Sequence, residues 1–208
     1  MTAMFNDTTQ ALHVSYLVLS LPPRQKAPFR NMLIQLLEAI EFPTAAQERW
    51  LAELRGVAGP FDPDRLTMDE FRAQCAMVTD AARTRLPAPE YAAILARFGH
   101  GPEKLQGCKR LAVFARRSSG LTALTLLLEM TIRHYLSKEE RAREDLTFRA
   151  LGERHHVSKD KVFRAAKWME QNFRSLENLA LARLEPKFIS HGLIGDRTAC
   201  DSPEAVAA

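Results

Sequence analysis

Residues 146–173, which read LTFRALGERHHVSKDKVFRAAKWMEQNF, constrain the fold of this chain more than any other stretch. Four apolar residues recur there at steps of four, three and four, the spacing of one buried helix face: Val162, Ala166, Met169 and Phe173. Ser158 precedes them as a typical N-cap residue, so this helix should begin at Lys159. Thr147 should cap a shorter helix upstream, whose buried stripe includes Leu151. The stretch therefore predicts two helices joined by a tight turn.

Two residues beside the predicted turn meet special backbone demands. Gly152 is small enough to let the two helices approach closely, although glycine costs about 1 kcal/mol of helix propensity relative to alanine. These residues resemble the general helix-turn-helix pattern, in which glycine is usual at the place of His156; the resemblance implies a positive φ there, a conformation that histidine tolerates better than most residues other than glycine. We expect Val157 to plug the turn with an apolar contact.

The order of small residue, turn, Val-Ser, and then Val and Arg on the second helix resembles the helix-turn-helix of DNA-binding proteins. In that motif the first turns of the second helix enter the major groove. The resemblance implies that double-stranded DNA is a partner and that seven residues face it: Ser158, Lys159, Asp160, Lys161, Phe163, Arg164 and Lys167. Asp160 has a simpler role open to it, because an acidic residue suits the positive end of the helix dipole. A helical hairpin in an ordinary bundle, with solvated charges, is the alternative.

The positive charge of the chain is concentrated in the same stretch. Residues 149–174 hold seven basic and three acidic residues, an excess equal to the net charge of +4 of the whole chain. Basic side chains on one face neutralise DNA phosphates and release counterions. A second basic region, in a helix predicted at 103–117, contains Lys104, Lys109, Arg110, Arg116 and Arg117. It is either a second surface that faces nucleic acid or RNA polymerase, or a solvated helix face.

The rest of the composition argues against several classes of protein. With 46% hydrophobic and 26% charged residues, the chain is typical of a soluble globular protein with one or two domains. No apolar run approaches the roughly 20 residues of a membrane span, so we expect a cytoplasmic protein without a signal peptide or a membrane partner. The three cysteines, Cys75, Cys108 and Cys200, are scattered and form no metal-binding spacing. No nucleotide-binding or hydrolase motif occurs, and we expect no enzymatic activity, metal or cofactor.

Helical periodicity extends over most of the chain, which predicts an all-α helical bundle that contains a C-terminal helix-turn-helix. We expect an N-terminal helical region of unknown role at 1–66, a helical core at 67–188 and a flexible tail at 189–208. Residues 1–7 should be a loose end, and residues 8–21 fit a helix or a strand. Helices are predicted at 29–42, 44–55, 67–86, 86–99, 103–117 and 121–136, with a loop at 56–65 and a charged link at 137–145. Cys75 should lie in the core, since a free cysteine behaves as a small hydrophobic residue.

An apolar stripe follows the motif directly and consists of Leu176, Leu179, Ala180, Leu181 and Leu184. Either Ser175 caps a new helix or one helix continues, and Pro186 should end it. The stripe needs a cover, because an exposed apolar patch of this kind usually marks an interface. We expect the helix at 121–136 to cover it within the same chain, and a second subunit is the alternative, so the oligomeric state stays open. Intramolecular cover predicts that truncation of Leu179 destabilises the fold.

A more particular resemblance covers residues 86–188. The segments LPAPEYAAILARFG, RHYL and LENLALARL, with the helix-turn-helix between the last two, resemble phage Q-type late antitermination proteins. The RFG and helix-turn-helix portions are also similar to the promoter-reading domain of bacterial sigma factors. This resemblance implies a small helical DNA-binding protein that engages RNA polymerase at a promoter-proximal pause and lets it read through terminators. It places Ser158, Lys159, Arg164 and Lys167 against DNA.

The resemblance leaves other functions open. Some antitermination proteins carry a zinc knuckle of cysteines, which this chain lacks. A helix-turn-helix repressor or activator is one alternative function, and a helical protein-interaction module without DNA binding is another. The DNA sequence that would be recognised does not follow from the residues.

Overall fold

The computed structural model describes residues 4–21 and 68–195, and these residues are almost entirely helical. The helices are α1 (Thr8–Ser20), α2 (Met68–Arg85), α3 (Ala88–Phe98), α4 (Gly101–Ala115), α5 (Leu124–His134), α6 (Lys138–Arg143), α7 (Phe148–Arg154) and α8 (Lys159–Ser190). The described part of the chain contains no strand, only an isolated bridge between Phe5 and Ile194. The predicted all-α class is confirmed. The helices predicted at 29–42 and 44–55 and the loop at 56–65 lie outside the described residues.

Side-chain caps set the start of several helices. The Asp7 carboxylate accepts a hydrogen bond from the Gln10 N–H at 2.7 Å, and α1 begins there as a helix rather than a strand. Ser137 and Glu140 form a reciprocal capping box, which starts the short helix α6. The predicted charged link at 137–145 is therefore partly helical. Its S-x-x-E spacing was the local signal for this helix, since that spacing allows both capping hydrogen bonds.

The two ends of the described chain meet. The Phe5 N–H donates to the Leu193 carbonyl at 2.9 Å, and Phe5, Leu193 and Ile194 are all buried. Residues 4–7, which we expected to be loose, and residues 189–195, which we placed in the tail, are therefore packed. Residues 196–208 lie outside the described residues.

The last helix is longer than expected. Helix α8 has 32 residues and continues through Pro186, so neither a new start at Ser175 nor an end at the proline occurs. Proline lacks the N–H that would bond the carbonyl four residues earlier, and it usually breaks a helix. Leu184 and Phe188 are buried on either side of Pro186, and their burial stabilises the continuation.

The helices enclose two clusters of buried side chains, and α8 contributes to both. The first cluster joins α1, α2 and α3 to the C-terminal half of α8 through Ala180, Leu184 and Phe188. The second joins α3, α4, α5 and α7 to the N-terminal half through Val162, Ala165, Met169 and Phe173. Ala165 is buried and Ala166 only half-buried, a shift of one position from the predicted face. Cys75 lies in the first cluster, as predicted.

The apolar stripe after the motif is covered within the chain, but by different helices from those expected. Ala180 and Leu184 pack into the cluster formed with α1, α2 and α3, rather than against α5. Leu179 remains 48% exposed, so its predicted role as a buried leucine is wrong. The side-chain period of α8 turns Leu179 away from the face that holds Leu184.

Two buried carboxylates tie α8 to its neighbours. Glu177 accepts hydrogen bonds from the Arg97 guanidinium at 2.7 Å and from the Tyr135 hydroxyl at 2.9 Å, which links α3 and α5 to α8. Glu90 on α3 accepts from Arg183 at 3.1 Å. Burial and the adjacent Glu177 carboxylate raise the pKa of Tyr135 well above its usual value, so its hydroxyl keeps its proton and donates.

Helices α3 and α4 approach each other closely at a glycine. A Cβ at Gly107 would lie 2.8 Å from the Ala92 carbonyl oxygen and 2.5 Å from the Ala96 nitrogen. Gly99 ends α3, whereas Gly101, which we expected to help end it, is the first residue of α4. Cys108 is buried beside this contact, and burial raises the pKa of its thiol to about 11.

Candidate nucleic-acid interface

Residues 147–173 form two helices joined by a tight turn, which we call the α7–turn–α8 unit. The Thr147 hydroxyl accepts from the Ala150 N–H at 3.2 Å and caps α7, as predicted. The Val157 N–H donates to the Gly152 carbonyl at 2.9 Å, and this hydrogen bond closes the turn. His156 has a φ of 53°, which confirms the predicted left-handed position. Half-buried Val157 packs against the second cluster.

Gly152 allows the turn to fold back onto α7. A Cβ at this position would lie 2.7 Å from the Val157 carbonyl oxygen and 3.6 Å from the Lys159 nitrogen. The first of these distances is too short for any side chain without a shift of the backbone. A small residue at position 152 therefore brings the start of α8 against α7, as the sequence predicts.

Ser158 occupies the N-cap of α8, with extended φ and ψ angles of −61° and 140°. Its hydroxyl forms no capping hydrogen bond within the described residues. The N-cap position of Ser158 was predicted correctly, but the capping hydrogen bond expected from its hydroxyl is not formed. The Ser158 hydroxyl is exposed and free of that intramolecular bond.

All seven residues that we assigned to a DNA-facing surface are exposed: Ser158, Lys159, Asp160, Lys161, Phe163, Arg164 and Lys167. They occupy the N-cap and first turns of α8, between and around the buried residues Val162, Ala165 and Met169. We call them the α8 exposed face. The structure thus brings the predicted residues together on one surface.

Residues 149–174 contain seven basic residues, and those that lie outside the α8 exposed face have carboxylate partners. Arg149 pairs with Glu153 at 2.9 Å, and Arg154 pairs with Glu129 at 2.8 Å. Arg174 lies 3.5 Å from Glu170. Within the described residues, no carboxylate lies within ion-pair distance of the four on α8, namely Lys159, Lys161, Arg164 and Lys167. The uncompensated positive charge of the unit is therefore concentrated on the α8 exposed face.

An aromatic contact borders this face. Phe163 is 53% exposed, and its ring meets the Phe148 ring edge-on, with 5.6 Å between the centroids. The Arg133 guanidinium lies 3.7 Å from the centroid of the Phe148 ring. Sequence analysis did not connect Arg133 with this unit, because the arginine lies on α5 and only tertiary packing brings it to α7.

The second basic region is only partly on a helix. Lys104, Lys109 and Arg110 lie within α4, whereas Arg116 is its C-cap and Arg117 follows it. Lys104 is half-buried and the other four residues are exposed. No hydrogen bond between these five side chains and the α8 exposed face occurs among the described residues.

The histidines of the turn have different surroundings. His155 is half-buried, and its Nε2 atom lies 3.2 Å from a Glu129 carboxylate oxygen, whereas His156 is exposed. Within the described ranges, no three histidine, cysteine, aspartate or glutamate side chains are grouped closely enough to hold a metal ion. No helix in those ranges is both long and apolar enough to cross a membrane.

The α7–turn–α8 unit therefore presents four cations without carboxylate partners among the described residues and one exposed aromatic ring on the first turns of a long helix. Such a surface can contact phosphates with lysine and a base edge with arginine. No protein-family model matches the chain, and no curated protein does so either.

Proposed function

We propose that this protein is a DNA-binding transcription regulator that places the first turns of α8 in the major groove. The observation that carries the proposal is the α8 exposed face, whose four basic side chains have no carboxylate partner within the described residues. The tight turn supports the proposal, because Gly152 lies at the close approach of the two helices and His156 has a φ of 53°.

The side chains divide into two roles on this proposal. Lys159, Lys161 and Lys167 contact backbone phosphates, since an ammonium group is a point charge without directional preference for a base. Arg164 reads a guanine edge, because its guanidinium can bond O6 and N7 together. Asp160 stabilises the start of α8 or accepts from a cytosine amino group.

We further propose that the protein acts as a Q-type antitermination protein, on the segment resemblance at residues 86–188. The basic surface around α4 would then face RNA polymerase or nucleic acid. The exposure of four of its five side chains supports this role, and the fifth, Lys104, is half-buried.

Fluorescence anisotropy with labelled duplex DNA tests the proposal. Arg164→Ala should weaken binding to guanine-containing sites by about 1–3 kcal/mol and relax the preference at one base pair. Lys167→Ala should weaken binding to all sequences alike and lower the slope of log affinity against log salt by about one. Arg83→Ala, which removes an exposed arginine on α2, is the matched control and should bind like the wild type.

Two results would contradict these assignments. Absence of binding even at low salt would exclude DNA binding and favour a protein-interaction module. A sequence-selective loss for Lys167→Ala with a uniform loss for Arg164→Ala would reverse the two roles. In vitro transcription separates the finer alternatives, because an antitermination protein needs polymerase and increases terminator readthrough, whereas a repressor dimerises on a palindrome without polymerase.

A further inference from the structure

A cleft of about 490 Å³ opens beside the α7–turn–α8 unit. Its walls come from α5, α6, α7 and α8, so segments far apart in sequence build it. The volume lies within the range of about 300–1,000 Å³ that is usual for small-molecule sites. Phe163 and Lys167 line the cleft and also belong to the α8 exposed face, so the two surfaces are continuous.

The cleft is strongly basic. Four cationic side chains line it, Arg133, Arg141, Lys167 and Arg174, and Glu170 is the acidic residue in its lining. Glu170 lies 3.5 Å from Arg174 and offsets that charge. Within the described residues, no carboxylate lies within ion-pair distance of Arg133, Arg141 or Lys167. His134 adds no charge near neutral pH, because burial lowers the pKa of its imidazole.

Backbone carbonyl groups hold the two central arginines in place. Arg133 donates through Nε to the Leu146 carbonyl at 2.9 Å. Arg141 donates through Nε to the Arg133 carbonyl at 2.8 Å and through Nη2 to the His134 carbonyl at 3.2 Å. Both terminal nitrogens of Arg133 and Nη1 of Arg141 form no hydrogen bond with any described residue. The guanidinium groups are therefore preorganised, with donors left over.

Two like charges lie close together in this half-buried place, and the Phe148 ring, 3.7 Å from the Arg133 guanidinium, offsets part of one of them. Burial and the neighbouring Arg141 charge lower the pKa of the Arg133 guanidinium, which reflects the cost of holding two like charges in a half-buried place. An anion between them would offset that repulsion. The planar guanidinium donors match the oxygens of a phosphate group in geometry, and hydrogen bonds to an ionised partner are the strong ones.

The remaining walls of the cleft are apolar. Phe148, Phe163 and Met130 line it together with the arginines. A ligand that combines a phosphate with a less polar body fits such walls better than a bare inorganic ion does.

We propose that this cleft binds a phosphate group, which either a small phosphorylated molecule or the backbone of DNA supplies. Arg133 and Arg141 bind the phosphate oxygens, and Lys167, which also lines the cleft, adds a third positive charge. This site is separate from the base-reading role of Arg164 and does not require DNA binding.

Inorganic pyrophosphate, titrated into the full chain by isothermal calorimetry at low salt, is the first probe. We expect saturable binding at one site, and Arg141→Gln should weaken it by about tenfold, as for the loss of a charge-assisted hydrogen bond. Arg83→Gln on α2 removes a charge outside the cleft and should leave the affinity unchanged. Lys167→Gln is the second variant, because Lys167 is exposed and its loss should not unfold the protein.

A DNA arm distinguishes the two sources of phosphate. The DNA backbone is the source if two results are found together. Pyrophosphate displaces labelled duplex DNA from the protein, and Arg141→Gln lowers the slope of log DNA affinity against log salt by about one. Pyrophosphate binding that Arg141→Gln weakens while DNA affinity stays unchanged identifies a small molecule. If the wild type does not bind pyrophosphate, or if neither Arg141→Gln nor Lys167→Gln weakens pyrophosphate binding while the thermal melts match the wild type, the cleft is not a phosphate site. DNA affinity is compared only for Arg141→Gln, because Lys167 is also a proposed DNA contact of the α8 exposed face. If the wild type does not bind DNA, the pyrophosphate measurement is still valid. A failure to bind DNA therefore contradicts the proposed function and not the phosphate site.

Discussion

His156 adopts a left-handed backbone conformation, with a φ of 53°, between α7 and α8. A side chain with a Cβ costs about 1–2 kcal/mol in that region, whereas glycine enters it freely. Among the described residues, the exposed imidazole of His156 forms no hydrogen bond that would offset this cost. The turn therefore stores backbone strain at a single residue.

His156→Gly should raise the free energy of unfolding by up to about 1 kcal/mol, because relief of the strain exceeds the extra chain entropy of glycine. Urea unfolding measures the change. His155→Gly is the matched control, since the adjacent histidine has a φ of −105° and contacts Glu129, and it should lower stability. A lower midpoint for His156→Gly would mean that its side chain makes a packing contribution larger than the strain.

At the scale of elements, the α7–turn–α8 unit shows local propensity and tertiary packing in conflict. Alanine would favour the helix at position 152 by about 1 kcal/mol over glycine. Its Cβ would nevertheless lie 2.7 Å from the Val157 carbonyl oxygen, a backbone atom that moves only if the turn moves. The close approach between α7 and the start of α8 therefore depends on the missing side chain.

Gly152→Ala should lower the free energy of unfolding by about 1–3 kcal/mol, as for other overpacked sites. Chemical unfolding tests this, with Ser175→Ala on the exposed side of α8 as a control that changes helix propensity without a clash. Should Gly152→Ala match or exceed the wild type in stability, the turn relaxes at little cost. The shifted turn would also change the position of the α8 exposed face, so DNA affinity of the variant is a second measurement.

At the scale of the whole molecule, α8 joins two buried clusters along its 32 residues. Its N-terminal half packs with α7 and α5, and its C-terminal half packs with α1 and α2. Glu177, near the junction, is held by Arg97 and Tyr135. The orientation of the α8 exposed face is consequently fixed by contacts with both clusters.

Leu184→Ala should lower the free energy of unfolding by about 2–5 kcal/mol, because Leu184 is fully buried and its truncation leaves a cavity. Leu179→Ala, on the same helix but 48% exposed, should change it far less. Urea unfolding together with analytical ultracentrifugation measures both stability and association. A large loss of stability for Leu179→Ala, or a dimer that Leu179→Ala disrupts, would show that a second subunit covers that side chain.

Local rules predicted most of the α7–turn–α8 unit. The spacing of Val162, Met169 and Phe173 identified the buried face of α8, because helical geometry alone places them on one side. Thr147 was identified as a cap from its side chain, and His156 as the left-handed residue from its place in the motif. Exposure of Asp160, Phe163, Arg164 and Lys167 follows from the same periodicity, whereas Ser158 and Lys159 are exposed because they lie at the N-terminal end of the helix.

Contacts between distant segments decided the remainder. The burial of Leu184 and Phe188 carries α8 past Pro186, although the proline by itself predicts an end. The cleft between Arg133 and Arg141 arises only when α5, α6, α7 and α8 pack together. The sequence by itself determined the helices and their apolar faces, because caps and periodicity act within a few residues. Only the tertiary structure decided which helices pack their apolar faces together, because burial depends on partners that lie far along the chain.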